Sequence, residues 1–312
     1  MWYKTAVHPP FAWYREFAPC EALRADVYAF FSFVPGPALA SPSRALLREI
    51  AFSKAIVCAP QFADGHVSIR FEVGRTCDAE GRWRADWNAF GDTVIGPMSG
   101  VGRTDGLDLS ETVGAYFRPG CASRFFDIPL SDVADMAVAV GDIWGTGGSP
   151  LSNELADLNE AARINRVESI LLARLRNRRQ RAGSLDVQGL AASVLRRSGR
   201  VTVEGMARVA GVSRQHLSRE FRERIGVGPK LYSRVARFQS LLALAGARVT
   251  IDWARVALDM GFADQSHMIA ECRHFSGLTP QSLADRDWFH PFIERAKSRR
   301  RRVDEWLHAG SD

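Results

Sequence analysis

Gln215, Arg219 and Arg222 are spaced to share one side of a helix, while Leu217, Phe221 and Ile225, four apart, share the other. Such a helix has one obvious chemistry. Guanidinium forks and carboxamides on an open face make paired hydrogen bonds to base edges and phosphates. Arg214, His216 and Ser218 flank the same face. The residues just before supply a support. Met206, Ala207 and Ala210 give a short preceding helix an apolar side, and Gly211 stands where that helix must stop. Ser213 is placed to cap the next helix through its hydroxyl. The stretch 203–225 therefore reads as two short helices joined by a tight turn, the geometry that carries a second helix into a DNA major groove. An ordinary helical hairpin with a solvated charged face would show a similar pattern.

The pattern occurs twice. A short helix over 253–260 leads to Gly261-Phe262, matching Gly211-Val212, and Asp264 can cap the following helix as Ser213 does. Met268, Cys272 and Phe275 form its apolar side, with Gln265, Ser266, His267, Ala270 and Arg273 outside. Gly277 and Pro280 repeat Gly226 and Pro229. The offset is 50 residues for the turn glycines and 51 for both later landmarks, which signals an internal repeat. A helix from Lys230 to about Ala245 bridges the two copies, with Leu231, Val235, Phe238, Leu241 and Leu242 facing a core. A leading helix lies within 185–199.

Residues 185–290 resemble the DNA-binding domain of the AraC/XylS family of bacterial transcription regulators. The likeness is carried by Ala207, Ala210-Gly211-Val212-Ser213-Arg214, Leu217, Arg219, Phe221, Gly226, Pro229-Lys230, Tyr232, Arg237-Phe238, Ala257, Gly261-Phe262, Asp264, Ser266-His267, Phe275, Gly277 and Thr279-Pro280. The resemblance implies an all-helical domain whose two recognition helices, 213–225 and 264–275, occupy successive major-groove segments of double-stranded DNA. Read as such a domain, the first unit is expected to place Gln215 and Arg219 at base edges and Arg214, His216 and Arg222 at bases or phosphates, with Ser218 in the same DNA-binding set. Gln265, Ser266, His267 and Arg273 take those parts in the second. The second unit departs from the family pattern at Met268, Ala270 and Cys272 and has fewer arginines, so the first unit is expected to carry more of the specificity. Further partners that the resemblance admits are RNA polymerase, a small-molecule effector and a second copy of the chain.

Composition agrees with a divided molecule. The 312 residues carry a net charge of +6, but residues 1–162 hold 13 Lys/Arg against 20 Asp/Glu and residues 163–312 hold 28 against 15. Only the second half is suited to a polyanion. No signal-type or membrane-length apolar run is present, so the expected location is the cytoplasm. Five scattered cysteines (Cys20, Cys58, Cys77, Cys121, Cys272) make no disulfide framework and no zinc spacing. A redox role for Cys121 has nothing in the sequence to support it.

The expected fold is α+β with two domains: a β-rich, barrel-like N-terminal domain over 1–150 and an all-α domain with two helix-turn-helix units over 183–290. Between them, 151–182 reads as a helical connector whose apolar stripe could pair two subunits and whose basic end could lie near phosphate. Residues 291–312 form a basic tail. In the first domain, residues 26–34, 55–58, 67–73, 93–97 and 112–117 read as strands, 74–83 as a polar loop, and 42–50 and 130–140 as helices. Tyr116-Phe117-Arg118-Pro119-Gly120, Phe125 and the stretch 130–144 give this half a weaker likeness to the sensor-like domain of some family members. Neither the Asp64-Gly65-His66 run nor the glycine-rich 145–150 stretch makes a catalytic or phosphate-binding motif, and no cofactor is expected. Two other classes compete with the regulator: an enzyme fused to such a domain, as in DNA alkylation-response proteins, and a sequence-independent DNA binder. The first needs a metal-held cysteine cluster, and the spacing of the cysteines speaks against it.

Overall fold

The computed structural model describes residues 14–33, 66–77, 83–84, 91–100, 109–145, 151–177, 185–245 and 251–285. The expected helix at 42–50, the strand at 55–58, most of the 145–150 linker and the basic tail lie outside them.

The N-terminal strands are β1 (Tyr14–Phe17), β2 (Val27–Phe33), β3 (Ser68–Cys77), β4 (Trp83–Arg84), β5 (Thr93–Ile95), β6 (Leu109–Phe117) and β7 (Ala137–Ala139). All pairings are antiparallel, in the order β1-β2-β6-β3-β5-β7, with β4 on the end of β3. The described strands form one open sheet, not a closed barrel, so the barrel-like expectation is corrected. Strict alternation on β3 and β6 puts Ile69, Phe71, Val113, Ala115 and Phe117 on one buried face beside Phe30 and Val94. Phe31 and Tyr116 stack on the other face with centroids 4.5 Å apart.

Two further expectations fail for local reasons. The polar run at 74–83 is not all loop, because β3 continues to Cys77 and pairs with Trp83–Arg84. Residues 130–140 are not a helix. A 3-10 turn at Leu130–Val133 ends before Asp135, which takes φ +59° while its carboxylate accepts hydrogen bonds from Ser99 N at 2.5 Å and Ser99 Oγ at 2.6 Å. The chain then adds β7 to the free side of β5 and enters α1 (Val140–Trp144) only afterwards. A sheet edge in need of a partner outweighs the helical spacing of Val133, Met136, Ala137 and Val140.

Helices α2 (Leu151–Ala156) and α3 (Glu160–Asn177) follow. The apolar stripe of α3 is already occupied: Ile164, Val167 and Leu171 are buried in the same cluster as the sheet residues. It is therefore not a free subunit-pairing stripe. Arg163, almost wholly buried, donates to Leu155 O at 2.9 Å and Ala156 O at 2.8 Å and pairs with Glu111 of β6, so one guanidinium joins α2, α3 and the sheet. Arg174, where the basic run starts, lies 4.2 Å above the Trp144 ring and faces the N-terminal domain.

The C-terminal half is all helical: α4 (Val187–Arg196), α5 (Val203–Ala210), α6 (Arg214–Ile225), α7 (Pro229–Ala245), α8 (Trp253–Asp259), α9 (Gln265–Ser276) and α10 (Pro280–Ala284). Each copy of the repeat has its own core. Met206, Ala207, Leu217, Phe221 and Ile225 pack with Tyr232 and Ala236 of α7. Ala257, Phe262, Met268, Cys272 and Phe275 pack with Val235, Phe238, Leu241 and Leu242 further along it.

Candidate nucleic-acid interface

The first unit is built as its residues dictate. Thr202 Oγ1 accepts from Gly205 N at 2.9 Å to start α5, and Gly211 closes it at φ +65°, a conformation that costs glycine little. Ser213 Oγ then accepts from His216 N at 3.1 Å to start α6. Burial of Leu217, Phe221 and Ile225 sets the rotation of α6, and the Phe221 ring meets Tyr232 edge-on at 6.1 Å. The opposite face is thereby fixed outward. Arg214, Gln215, Arg219 and Arg222 are exposed, Ser218 is half-buried, and these five line one shallow, open concavity. His216 is half-buried at its flank, where Nδ1 accepts from Arg219 Nη2 at 2.8 Å. Arg224 belongs to a different set of contacts. It pairs with Glu220 at 3.4 Å and donates to Leu185 O at 3.1 Å, away from the open face.

The second unit follows the same plan with different detail. Asp252 caps α8, accepting from Ala254 N at 3.1 Å and Arg255 N at 3.2 Å, and Asp264 caps α9, accepting from His267 N at 2.7 Å. Met268, Cys272 and Phe275 are fully buried, and Phe275 lies 5.4 Å from Phe238. Gln265, Ser266 and Arg273 are exposed. His267 is exposed but tied to its own turn: Nδ1 accepts from Ala263 N at 3.2 Å and the ring stands edge-on to Phe262 at 5.6 Å. The structure thus gathers the six first-unit candidates on α6 and the four second-unit candidates on α9, one helix for each group.

Side chains to which the sequence reading gave no positional role hold these helices in place. Arg234 of α7 binds Glu271 of α9 by two parallel hydrogen bonds, and Arg237 donates from Nη1 to Gly261 O at 2.9 Å. The N-terminal domain also reaches α6. Its 3-10 turns at Ala122–Arg124 and Leu130–Val133 pack on that helix, Pro97 and Leu130 press on Gly226, and Gln188 Nε2 donates to Ala25 O at 2.8 Å. No local signal announces such contacts, because the partners lie far apart in the chain.

Cys121 and Cys272 are chemically quiet. Burial, with the nearby Asp26 charge, pushes the Cys121 thiol up to about 12, and burial pushes Cys272 to about 11. Neither forms the thiolate that redox or metal chemistry needs at neutral pH. Among the described residues no group of three or more His, Cys, Asp or Glu is arranged to hold a metal, and no helix is long and apolar enough to cross a membrane.

No curated protein is a significant match to the chain. Solved structures of ToxT from Vibrio cholerae O395 and of ToxT from Vibrio cholerae in a P21 crystal form align at 11 % identity each. They cover 73 % of this chain and 91 % and 92 % of their own, with TM-scores of 0.36 and 0.37. Similarity this low carries no functional weight. The family comparison is of a different kind: a family model described as "Helix-turn-helix domain" matches residues 206–286, which contain both capped turns and both arginine-bearing helices. The C-terminal segment of this chain is a DNA-binding helix-turn-helix domain of the AraC type, the type that transcription regulators carry.

Proposed function

We propose that the chain regulates transcription by sequence-specific binding to double-stranded DNA, with α6 and α9 in successive major-groove segments and α6 as the stronger reader. The observation that carries this reading is the open face of α6, where Arg214, Gln215, Ser218, Arg219 and Arg222 project together from a helix whose back is locked by Leu217, Phe221 and Ile225. Arginine and glutamine at such positions offer bidentate bonds to guanine and adenine edges, and the remaining cations meet phosphates. On α9 the open set is smaller, Gln265, Ser266 and Arg273 with part of His267. The N-terminal domain, packed behind α6, serves as the regulatory half, through an effector or a second copy of the chain, and RNA polymerase is the downstream partner. A DNA partner places the protein in the cytoplasm.

Selection of bound fragments from a random duplex pool by the full chain tests this. The expected result is one enriched two-part sequence, with affinity falling steeply as salt rises. Equal binding to all sequences at matched salt would leave only a sequence-independent binder.

A further inference from the structure

The two helix-turn-helix units do not share a core. The first packs on Tyr232 and Ala236 of α7, the second on Val235, Phe238, Leu241 and Leu242, and Leu231 at the margin of both clusters is the residue common to them. The seam between the units is polar, and two arginines cross it. Arg237 on α7 donates from Nη1 to Gly261 O at 2.9 Å in the second unit's turn and from Nη2 to Gly199 O at 3.5 Å in the loop before the first unit. Its guanidinium also lies 5.1 Å from the centre of the Phe262 ring. Arg200, in that same loop, donates from Nη1 to Asp259 O at 3.0 Å.

The accepting carbonyls of Asp259 and Gly261 stand at the C-terminal end of α8, where helix carbonyls lack intrahelical partners and the dipole favours cations. Both arginines therefore grip one point. That point matters because Asp264, three residues beyond Gly261, starts α9. Holding the end of α8 holds the beginning of the second recognition helix. The other end of the clasp, Gly199 and Arg200, leads into Thr202 and α5, and so sets the first recognition helix.

We propose that Arg237 and Arg200 are positioning residues that fix the separation and rotation of α9 relative to α6, and so make the protein selective for the spacing between the two parts of its DNA site. This rests on the reading of α6 and α9 as paired DNA readers. Neither arginine is assigned a base contact; each acts through the helices that it ties together.

The test uses the full chain and the two-part duplex that the wild type enriches from a random pool, with derivatives carrying one or two base pairs inserted between the parts. Each inserted base pair turns the second part by about 34° relative to the first, from roughly 10.5 base pairs per turn. The wild type should lose roughly tenfold to a hundredfold in affinity on insertion, as the second unit's base contacts are forfeited. In Arg200→Ala and Arg237→Gln the insertion penalty should shrink below about threefold, while affinity for either part alone stays at the wild-type value. Arg237→Lys, which keeps the charge and one donor, should recover part of the penalty. Arg200 is exposed, so if Arg237→Gln fails to fold, Arg200→Ala decides the matter. Unchanged insertion penalties in the folded variants would overturn the clasp and leave the DNA reading intact. Equal loss on the single parts would overturn it too, as a merely structural role. If the wild type enriches no sequence at all, the DNA reading itself falls, and the clasp with it.

Discussion

Arg234 on α7 grips Glu271 on α9 through a fork, Nε to Oε2 at 2.8 Å and Nη2 to Oε1 at 2.7 Å, with the guanidinium 5.2 Å from the centre of the Phe275 ring. The pair anchors α9 at its middle, on the side away from Gln265 and Arg273. Burial alone would raise the Glu271 carboxyl, but the Arg234 hydrogen bonds and charge outweigh it, so the group lies below its ordinary value of 4.5.

Because the folded carboxyl is the stronger acid, its contribution to stability is fully present above the ordinary value and is lost as pH falls through the depressed folded value. Glu271→Gln should cost about 1 kcal/mol at pH 7 after allowance for the partial exposure of the pair. The difference from wild type should narrow as pH falls below the ordinary value of 4.5 and vanish only once pH has dropped past the depressed folded value, where the wild-type carboxyl is also neutral. Urea unfolding at pH 7 and pH 3.5 measures both; a difference that does not depend on pH would show that charge is not what holds α9 there.

On the proposed reading, Arg219 and Arg273 stand on unequal readers. Arg219→Ala should weaken binding to the selected duplex by about 1–3 kcal/mol, with discrimination lost at one or two base positions. Arg273→Ala should cost less, about 1 kcal/mol or below, since α9 offers fewer open donors around it. Mobility-shift titrations against single-base variants of the site would reveal the asymmetry, and equal losses from the two substitutions would refute it.

Gly226 ends α6 at φ +95°, with Pro97 and Leu130 of the N-terminal domain pressed against it. A Cβ there would sit 2.4 Å from Pro97 Cγ and 2.8 Å from Leu130 O. Gly226→Ala combines left-handed strain with overpacking, for a combined loss of about 2–4 kcal/mol. Thermal unfolding should show a clearly lowered midpoint. A loss of only about 1–2 kcal/mol, the left-handed strain alone, would mean that the two domains separate freely in solution.

Cys121 and Cys272, buried and held to weak acidity, should resist alkylation by iodoacetamide in the native protein at pH 8 and react fully once it is unfolded. Residue-resolved mass spectrometry reads the result. Rapid native labelling of Cys121 would reopen a redox role for it.

Much of the C-terminal half can be read from the sequence, because its determinants are local. Ser213 caps a helix three residues ahead, Leu217, Phe221 and Ile225 recur every fourth position, and Gly211 stops a helix wherever it stands. Each of these works over one or two turns, so spacing alone reveals the helices, their buried sides and, by subtraction, the open faces of α6 and α9. The N-terminal half is less legible for the complementary reason. Residues 130–140 have helical spacing, yet β5 claims residues 137–139 as its neighbour, and only the assembled sheet makes that pairing worth more than a helix. The stripe on α3 looked free until the sheet supplied the surface that buries it. The Arg237 and Arg234 contacts depend on where backbone carbonyls and a carboxylate arrive after folding, 24 and 37 residues away in the chain. Sequence determined the capped helices of the C-terminal half and what they present. Tertiary structure alone decided how they are held relative to one another, because long-range hydrogen bonds and sheet edges leave no periodic trace in the chain.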